Sequence, residues 1–376
     1  MHIGLFIKNY ASGKQFSKDG VPIKSGAEFH AENHAKLFIK NGDNVTVFTK
    51  KIFAFTKIRE FIDGIEVCRL HGGVRWLELV ARLLTTHKSI DAFYILGTPK
   101  FAVWGIIIAR ILNKPVTLAL TSTSEIFEKK DTWRNKIFSK CDNYIAISNV
   151  IAESLIKSLQ ISQNKVHLLP QGVDTQNRFV PVTLKDKNRL RDKYGFDKDK
   201  KILLFCARVV ENKGIDTLIK SWRIVHEKNK NIILLVVGGG VTELIDKLKK
   251  ISLELDNSII ITGEVDDPKE YYQLSDMYIL PSWFEGLSTS TMEAMSCGLP
   301  CIGSDVPGIN DLIKPANAGY LVEKTNFNIF AEYILKLNDN KNLRKYFSRN
   351  SRDYAVKYLD SNILFNSLRS IINSEF

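Results

Sequence analysis

Apolar runs of strand length alternate with longer amphipathic stretches along nearly the whole chain. Ile3–Ile7, Asn44–Phe48, Ala92–Leu96, Val116–Leu120 and Asn143–Ile147 read as buried strands. Ala27–Lys40, Trp76–Thr86 and Val103–Leu112 lie between them with helical spacing. A second series opens at Lys201–Cys206 and continues through Ile232–Val237, Ser258–Thr262, Met277–Leu280 and Pro300–Gly303. Strands separated by helices pair in parallel and are covered on both faces. The pattern therefore predicts an α/β protein of two doubly wound, Rossmann-like domains facing across a cleft. Pro181–Lys200 is charged and lacks an apolar period, which predicts a connection spanning residues 173–200. The domains then cover residues 1–172 and 201–357. Leu343–Ile372 is helical in pattern, and its last part, about residues 358–376, is expected to complete the first domain.

In doubly wound sheets, ligands bind beyond the carboxyl ends of the strands. The loop after Lys201–Cys206 holds Arg208 and Lys213 just before a helix start near Ile215. Two cations beside a helix N-terminus suit a diphosphate, although the same spacing also fits a solvated loop. Gly238-Gly239-Gly240 follows the next strand, as a tight turn or as a ligand loop. It does not continue as G-x-G-x-x-G, so a nicotinamide fingerprint is a poor fit. After Leu280 comes a loop containing Glu285 and Gly286, then a helix predicted to begin near Thr291. The backbone N–H groups of Gly286, Leu287 and Ser288 are candidates to face an anion there. Glu285 and Glu293 are eight apart and suit acceptance of sugar or ribose hydroxyls. Ser290-x-x-Glu293 also matches a helix capping box, which needs no ligand.

Charge adds a partner class. The net charge is +12, and it is uneven: Met1–Phe179 carries 25 Lys+Arg against 15 Asp+Glu, the remainder 28 against 26. An excess in one half suggests an anionic partner. No zinc finger, RNP-like aromatic strand or arginine-rich helix supports nucleic acid. An anionic membrane surface is the better fit, and Arg75–Leu84, with Trp, Leu and Arg at helical spacing followed by His87 and Lys88, is a candidate contact. The alternative is an ordinary helix whose apolar stripe faces the sheet. Phe101–Leu112 is broken by Arg110 and too short to span a bilayer, and Met1–Ile7 runs straight into a strand, so a cytoplasmic location is expected. The five cysteines form no C-x-x-C pair, which argues for reduced structural thiols. No metal is expected. The lone D-x-D, Asp197-Lys198-Asp199, precedes a strand, and His30 and His34 lack a third ligand.

The block FEGLSTSTMEAMSCGLPCIGSDVPG, with Glu285 and Glu293 as E-x7-E, resembles the donor site of family 4 retaining glycosyltransferases of the GT-B fold, also called glycosyl transferases group 1. ARVVENKGID resembles that family's diphosphate loop, LPQGVD at Leu169–Asp174 its hinge, and SGAE at Ser25–Glu28 its N-terminal glycine loop. The resemblance implies a second domain that binds a nucleotide diphosphate sugar and a first domain that takes a glycan or lipid-linked acceptor. It implies that Arg208 and Lys213 neutralise the leaving diphosphate, helped by amides around Gly286, Leu287 and Ser288. Glu293 would then hold the ribose, and Glu285 would orient the sugar. Gly26, Gly238 and Val265 are assigned to donor binding on the same ground. It implies front-face displacement with no enzymic nucleophile, no cofactor and no metal, in bacterial surface polysaccharide or glycolipid synthesis. One departure stands out: Thr121-Ser122-Thr123-Ser124-Glu125 lacks the histidine that many relatives carry there. That leaves a catalytically weak nucleotide-sugar-binding protein as the alternative.

Overall fold

A computed structural model describes residues 1–10, 26–50, 57–70, 75–85, 89–98, 100–121 and 133–373. The chain divides into two compact units, Met1–Gln171 with Leu364–Phe376, and Gly172–Ile363.

The first unit holds an eight-stranded sheet. Its strands are β1 (His2–Ile7), β2 (Asn44–Lys50), β3 (Arg59–Ile62), β4 (Ile65–Leu70), β5 (Ala92–Leu96), β6 (Val116–Leu120), β7 (Asn143–Ala146) and β8 (Val166–Leu168). Their order is β3-β4-β2-β1-β5-β6-β7-β8, with every pair parallel except β3 and β4. The β3–β4 hairpin is missing from the apolar-run reading. It turns at Asp63 (φ 50°) and Gly64 (φ 79°), the left-handed pair that a two-residue hairpin requires. The helix Gly26–Lys40 lays Ala31, Ala35 and Phe38 into the core against Ile3, Leu5, Val45, Val47 and Tyr94. The helix Ser361–Asn373 adds Phe365, Leu368 and Ile372 to this core. Arg369 fixes it by ion pairing at 2.8 Å with Asp43, which also pairs with the N-terminal ammonium.

The helix Arg75–Thr85 buries Leu79 and Leu83 completely and leaves Leu77 and Leu84 about half exposed. Its inward stripe is that of an ordinary domain helix, with a second pair of leucines facing solvent. His87 and Lys88 lie outside the described residues. No helix among the described residues is long and apolar enough to cross a membrane.

The second unit holds six parallel strands: β9 (Lys201–Cys206), β10 (Ile232–Val237), β11 (Ile259–Gly263), β12 (Met277–Leu280), β13 (Cys301–Ser304) and β14 (Gly319–Val322), in the order β11-β10-β9-β12-β13-β14. β10 is buried at every position, as expected of a strand covered on both faces. The stretch read as a charged connection without an apolar period contains the helix Leu184–Tyr194, and it belongs to this unit. Thr183 caps its start, and Gly195 ends it in the left-handed conformation. Charge anchors this helix where an apolar stripe would usually do so. Arg191, which is buried, and Lys187, which is half-buried, pair with Asp276 at 2.6 and 2.8 Å. Burial works against the Asp276 charge, but Lys187 and Arg191 outweigh it and hold the carboxyl below its ordinary range. The C-terminal helical pattern is also two elements, Lys341–Tyr358 and Ser361–Asn373. Asp360 separates them, accepting from the backbone N–H groups of Asn362 and Ile363 as an N-cap.

Candidate active site

In the second unit, β9, β10 and β11 run outward in one direction, while β12, β13 and β14 run in the other. The winding reverses between β9 and β12, which is where doubly wound sheets bind ligands. The two loops that leave this point are Ala207–Gly214 and Pro281–Ser288, the segments that carry Arg208, Lys213 and Glu285.

These loops are stitched together. Gly214 has φ 72°, and a β-carbon there would fall 1.9 Å from the Pro281 carbonyl oxygen, so only glycine allows the approach. The Trp283 N–H donates to the Asn212 carbonyl at 2.8 Å. The result is an ion pair across 72 residues of sequence: Lys213 Nζ donates to Glu285 Oε1 at 2.5 Å. The buried Ser282 hydroxyl donates to the same oxygen at 2.8 Å. Arg208 is exposed and makes no ion pair among the described residues. The two cations therefore differ in state: one is neutralised by a carboxylate, the other is open.

The glycine triplet is explained by packing. Gly238 (φ 138°) and Gly240 would each carry a β-carbon 2.1 Å from a backbone oxygen, that of Ala207 and of Val209 respectively. Val209 donates to the Gly239 carbonyl and Val241 to the Val209 carbonyl, at 2.8 and 2.9 Å. The triplet thus clamps the cationic loop. Gly238 and Gly240 are required by the protein's own backbone, whatever ligand approaches.

The helix after β12 begins at Thr289, two residues before its predicted start. Ser288 is its N-cap, with Oγ accepting from the Thr291 N–H at 3.2 Å. The Ser290–Glu293 capping box is therefore not formed. Ser290 Oγ instead accepts from the Tyr278 hydroxyl at 2.7 Å. The Ser288 N–H, proposed above for an anion, is taken by the Gly308 carbonyl at 3.0 Å. Among the described residues, the N–H groups of Gly286 and Leu287 have no backbone or side-chain acceptor, so they keep that capacity.

Glu293 sits one turn into this helix. Its Oε2 accepts from the hydroxyl of Tyr272, a residue with no exposed surface, at 2.7 Å. Its Oε1 has no protein donor among the described residues, and the residue is half-buried. Burial pushes the Glu293 pKa up to about 7, with the Tyr272 hydrogen bond and Arg178 pulling the other way. Tyr272 was missed in the sequence because it lies on a separate helix, Lys269–Leu274, and nothing in its spacing marks it. Val265 is half-buried in the segment between β11 and that helix.

The remaining candidates lie elsewhere. Gly26 opens a helix of the first unit, while Ser25 and Ser122–Glu125 are outside the described residues. His30 is buried there and His34 is half-buried. Burial pushes their pKa values down to about 3 and about 4, and His34 contacts the Tyr94 hydroxyl at 3.1 Å. Asp197 of the D-x-D accepts from the Asp199 N–H, closing a local turn. Among the described residues, no three His, Cys, Asp or Glu side chains are grouped to hold a metal ion. All five cysteines are buried and unbridged.

Comparison with known proteins agrees with this architecture. Residues 24–177 match Glycosyltransferase Family 4, and residues 186–354 match Glycosyl transferases group 1. The capsular polysaccharide biosynthesis glycosyltransferase CapM of Staphylococcus aureus is 29% identical over 305 residues, covering 79% of this chain and 80% of its own. An Escherichia coli UDP-Gal:alpha-D-GlcNAc-diphosphoundecaprenol alpha-1,3-galactosyltransferase is 28% identical over 60% of this chain and 58% of its own. Among solved structures, HepE of Anabaena in complex with UDP superposes with a TM-score of 0.80 at 18% identity, covering 100% of both chains. Matches over both units, joined to two parallel α/β domains of the GT-B fold, place the chain in a family: it belongs to the glycosyltransferases of group 1 and family 4.

Proposed function

We propose that the protein transfers a sugar, with retention of anomeric configuration, from a nucleotide diphosphate donor to a glycan or lipid-linked acceptor in surface polysaccharide or glycolipid synthesis. The observation that carries this reading is the convergence at the β9/β12 reversal. Two cations, two unengaged amides and a glutamate with one oxygen unpaired among the described residues belong to the loops and helix that leave that point.

Each group has a chemical task. The bond that breaks leaves negative charge on the diphosphate, and fixed donors stabilise developing charge best when they need not reorganise. Arg208 and Lys213 supply that charge, and the Gly286 and Leu287 amides add neutral donors at a helix start. Glu293 Oε1 accepts a ribose hydroxyl while Tyr272 holds the other oxygen. Glu285 accepts from the transferred sugar. No side chain is placed as a nucleophile in this scheme, which suits displacement on the face from which the diphosphate departs. The first unit takes the acceptor, and its basic surface suits an acceptor held at an anionic leaflet. The names of CapM and of the diphosphoundecaprenol galactosyltransferase support such an acceptor, and the UDP in the HepE structure supports a nucleotide donor.

The test is a thermal-shift screen of nucleotide sugars followed by transfer assays, with the product anomer read by NMR. A ligand that binds only the native state raises stability with the logarithm of its concentration over Kd. Binding without transfer to any acceptor would favour the weak sugar-nucleotide-binding alternative. An inverted product would reject retention.

A further inference from the structure

The ion pair between Lys213 and Glu285 joins the group suited to the diphosphate with the group suited to the sugar. On the donor-site reading above, we propose that Glu285 distinguishes the sugar-bearing donor from the spent nucleoside diphosphate by competing with the diphosphate for Lys213.

The geometry favours a preformed pair. Lys213 and Glu285 side chains are 16% and 11% exposed, so the contact is largely withdrawn from water. Ser282, fully buried, holds the shared oxygen of Glu285. The loops themselves are locked by the Gly214–Pro281 approach and the Trp283–Asn212 hydrogen bond, so forming the pair requires no loop movement. Arg208 is exposed and has no such partner among the described residues, which leaves it open to an incoming anion.

A diphosphate that arrives without a sugar can recruit Lys213 only by leaving Glu285 withdrawn from water and stripped of its cation. Removing one member of a buried pair is strongly unfavourable. A complete donor avoids that penalty, because hydroxyls of its sugar donate to Glu285 in place of the ammonium. Sugar recognition and diphosphate recognition are thereby coupled through one exchange of partners, and such coupling is reciprocal. Once the sugar has left, Glu285 recaptures Lys213, and the nucleoside diphosphate loses one of its two cations. The exchange favours donor over product and speeds product release, a step that often limits turnover.

The experiment measures binding of inorganic pyrophosphate and of UDP, neither of which carries a sugar, to the full chain by calorimetry. Glu285→Gln should bind both about tenfold more tightly than the wild type, since Lys213 is left without a counter-charge. In a Lys213→Met background the same substitution should add nothing. Glu285→Asp keeps the charge one methylene short of its partner and should shift affinity in the same direction by less. It also serves as the test if Glu285→Gln does not fold. Unchanged or weaker pyrophosphate and UDP binding in these variants, with melting temperature maintained, would overturn the proposal. So would a gain that persists without Lys213. Failure of the wild type to bind pyrophosphate, UDP or any nucleotide sugar would overturn the donor-site reading itself, and the proposal with it.

Discussion

Replacing Glu293 with Gln should stabilise the ligand-free protein at neutral and alkaline pH. Burial lifts the Glu293 pKa from an ordinary 4.5 to about 7, so the folded state holds a proton that the unfolded chain has already released. A raised carboxyl contributes its full stability below the unfolded pKa and loses it as pH climbs through the folded one. In the wild type, stability should therefore decline between about pH 4.5 and pH 7. At about 1.4 kcal/mol per pH unit, that interval amounts to about 3 kcal/mol. Gln is neutral and of the same shape, and its amide oxygen can still accept from Tyr272. The variant should thus match the wild type near pH 4.5 and exceed it by about 3 kcal/mol at pH 8. Denaturant unfolding of both proteins at pH 5, 6, 7 and 8 gives the difference, in which groups common to both cancel. The same variant should bind donor less tightly, because ribose hydroxyls are held better by a carboxylate than by an amide. A stability difference that stays flat with pH, or a variant less stable at pH 8, refutes the argument from burial.

Other outcomes follow from neighbouring groups. Arg208→Ala should leave the fold intact, since the exposed side chain has no partner among the described residues, and should lower turnover by about 100-fold or more; normal transfer rates would remove Arg208 from the site. Gly240→Ala should lower the melting temperature by an amount equivalent to at least about 2 kcal/mol, because its β-carbon meets the Val209 carbonyl; an unshifted melting curve would show that the clamp is dispensable. Transfer should survive EDTA, and loss of activity restored by Mg²⁺ or Mn²⁺ would reject metal independence. Sedimentation with liposomes should rise with anionic lipid and fall with salt, and indifference to anionic liposomes at low salt would direct the search to a soluble acceptor.

Much of the fold is legible because its strands are buried on both faces and so appear as apolar runs. Where another force builds the element, the runs say nothing. The helix Leu184–Tyr194 is seated by Arg191 and Lys187 on Asp276, 85 and 89 residues further along the chain, and its own sequence has no apolar face to reveal it. The β3–β4 hairpin is announced by Asp63-Gly64, a turn signal rather than a hydrophobic one. At the site, the loops were legible from their position after strands, and Lys213 and Glu285 from their motifs. Their pairing was not, because it depends on how closely Gly214 approaches Pro281. The same holds for Tyr272 and for the Gly308 carbonyl that occupies the Ser288 N–H, since both arrive from other segments.

On the proposed function two carboxylates stand beside a diphosphate, which their charge would repel unless it is offset. Glu285 is neutralised by Lys213, and Glu293 is poised near neutrality, where a substantial fraction is protonated at physiological pH. In the ligand-free unit, neither one presents a full negative charge to an approaching anion. On the proposed function, each regains its acceptor strength only when the matching part of the donor is present. Ribose hydroxyls that donate to Glu293 favour its ionised form and pull its pKa back down. Sugar hydroxyls that donate to Glu285 release Lys213 to the diphosphate. The repulsion that two fixed carboxylates would exert is thus replaced by two local exchanges, one of a proton and one of an ion pair. Donor binding near pH 7 should accordingly release a fraction of a proton, measurable as a dependence of binding enthalpy on buffer ionisation. Glu293→Gln should abolish that dependence while leaving the Lys213–Glu285 exchange in place.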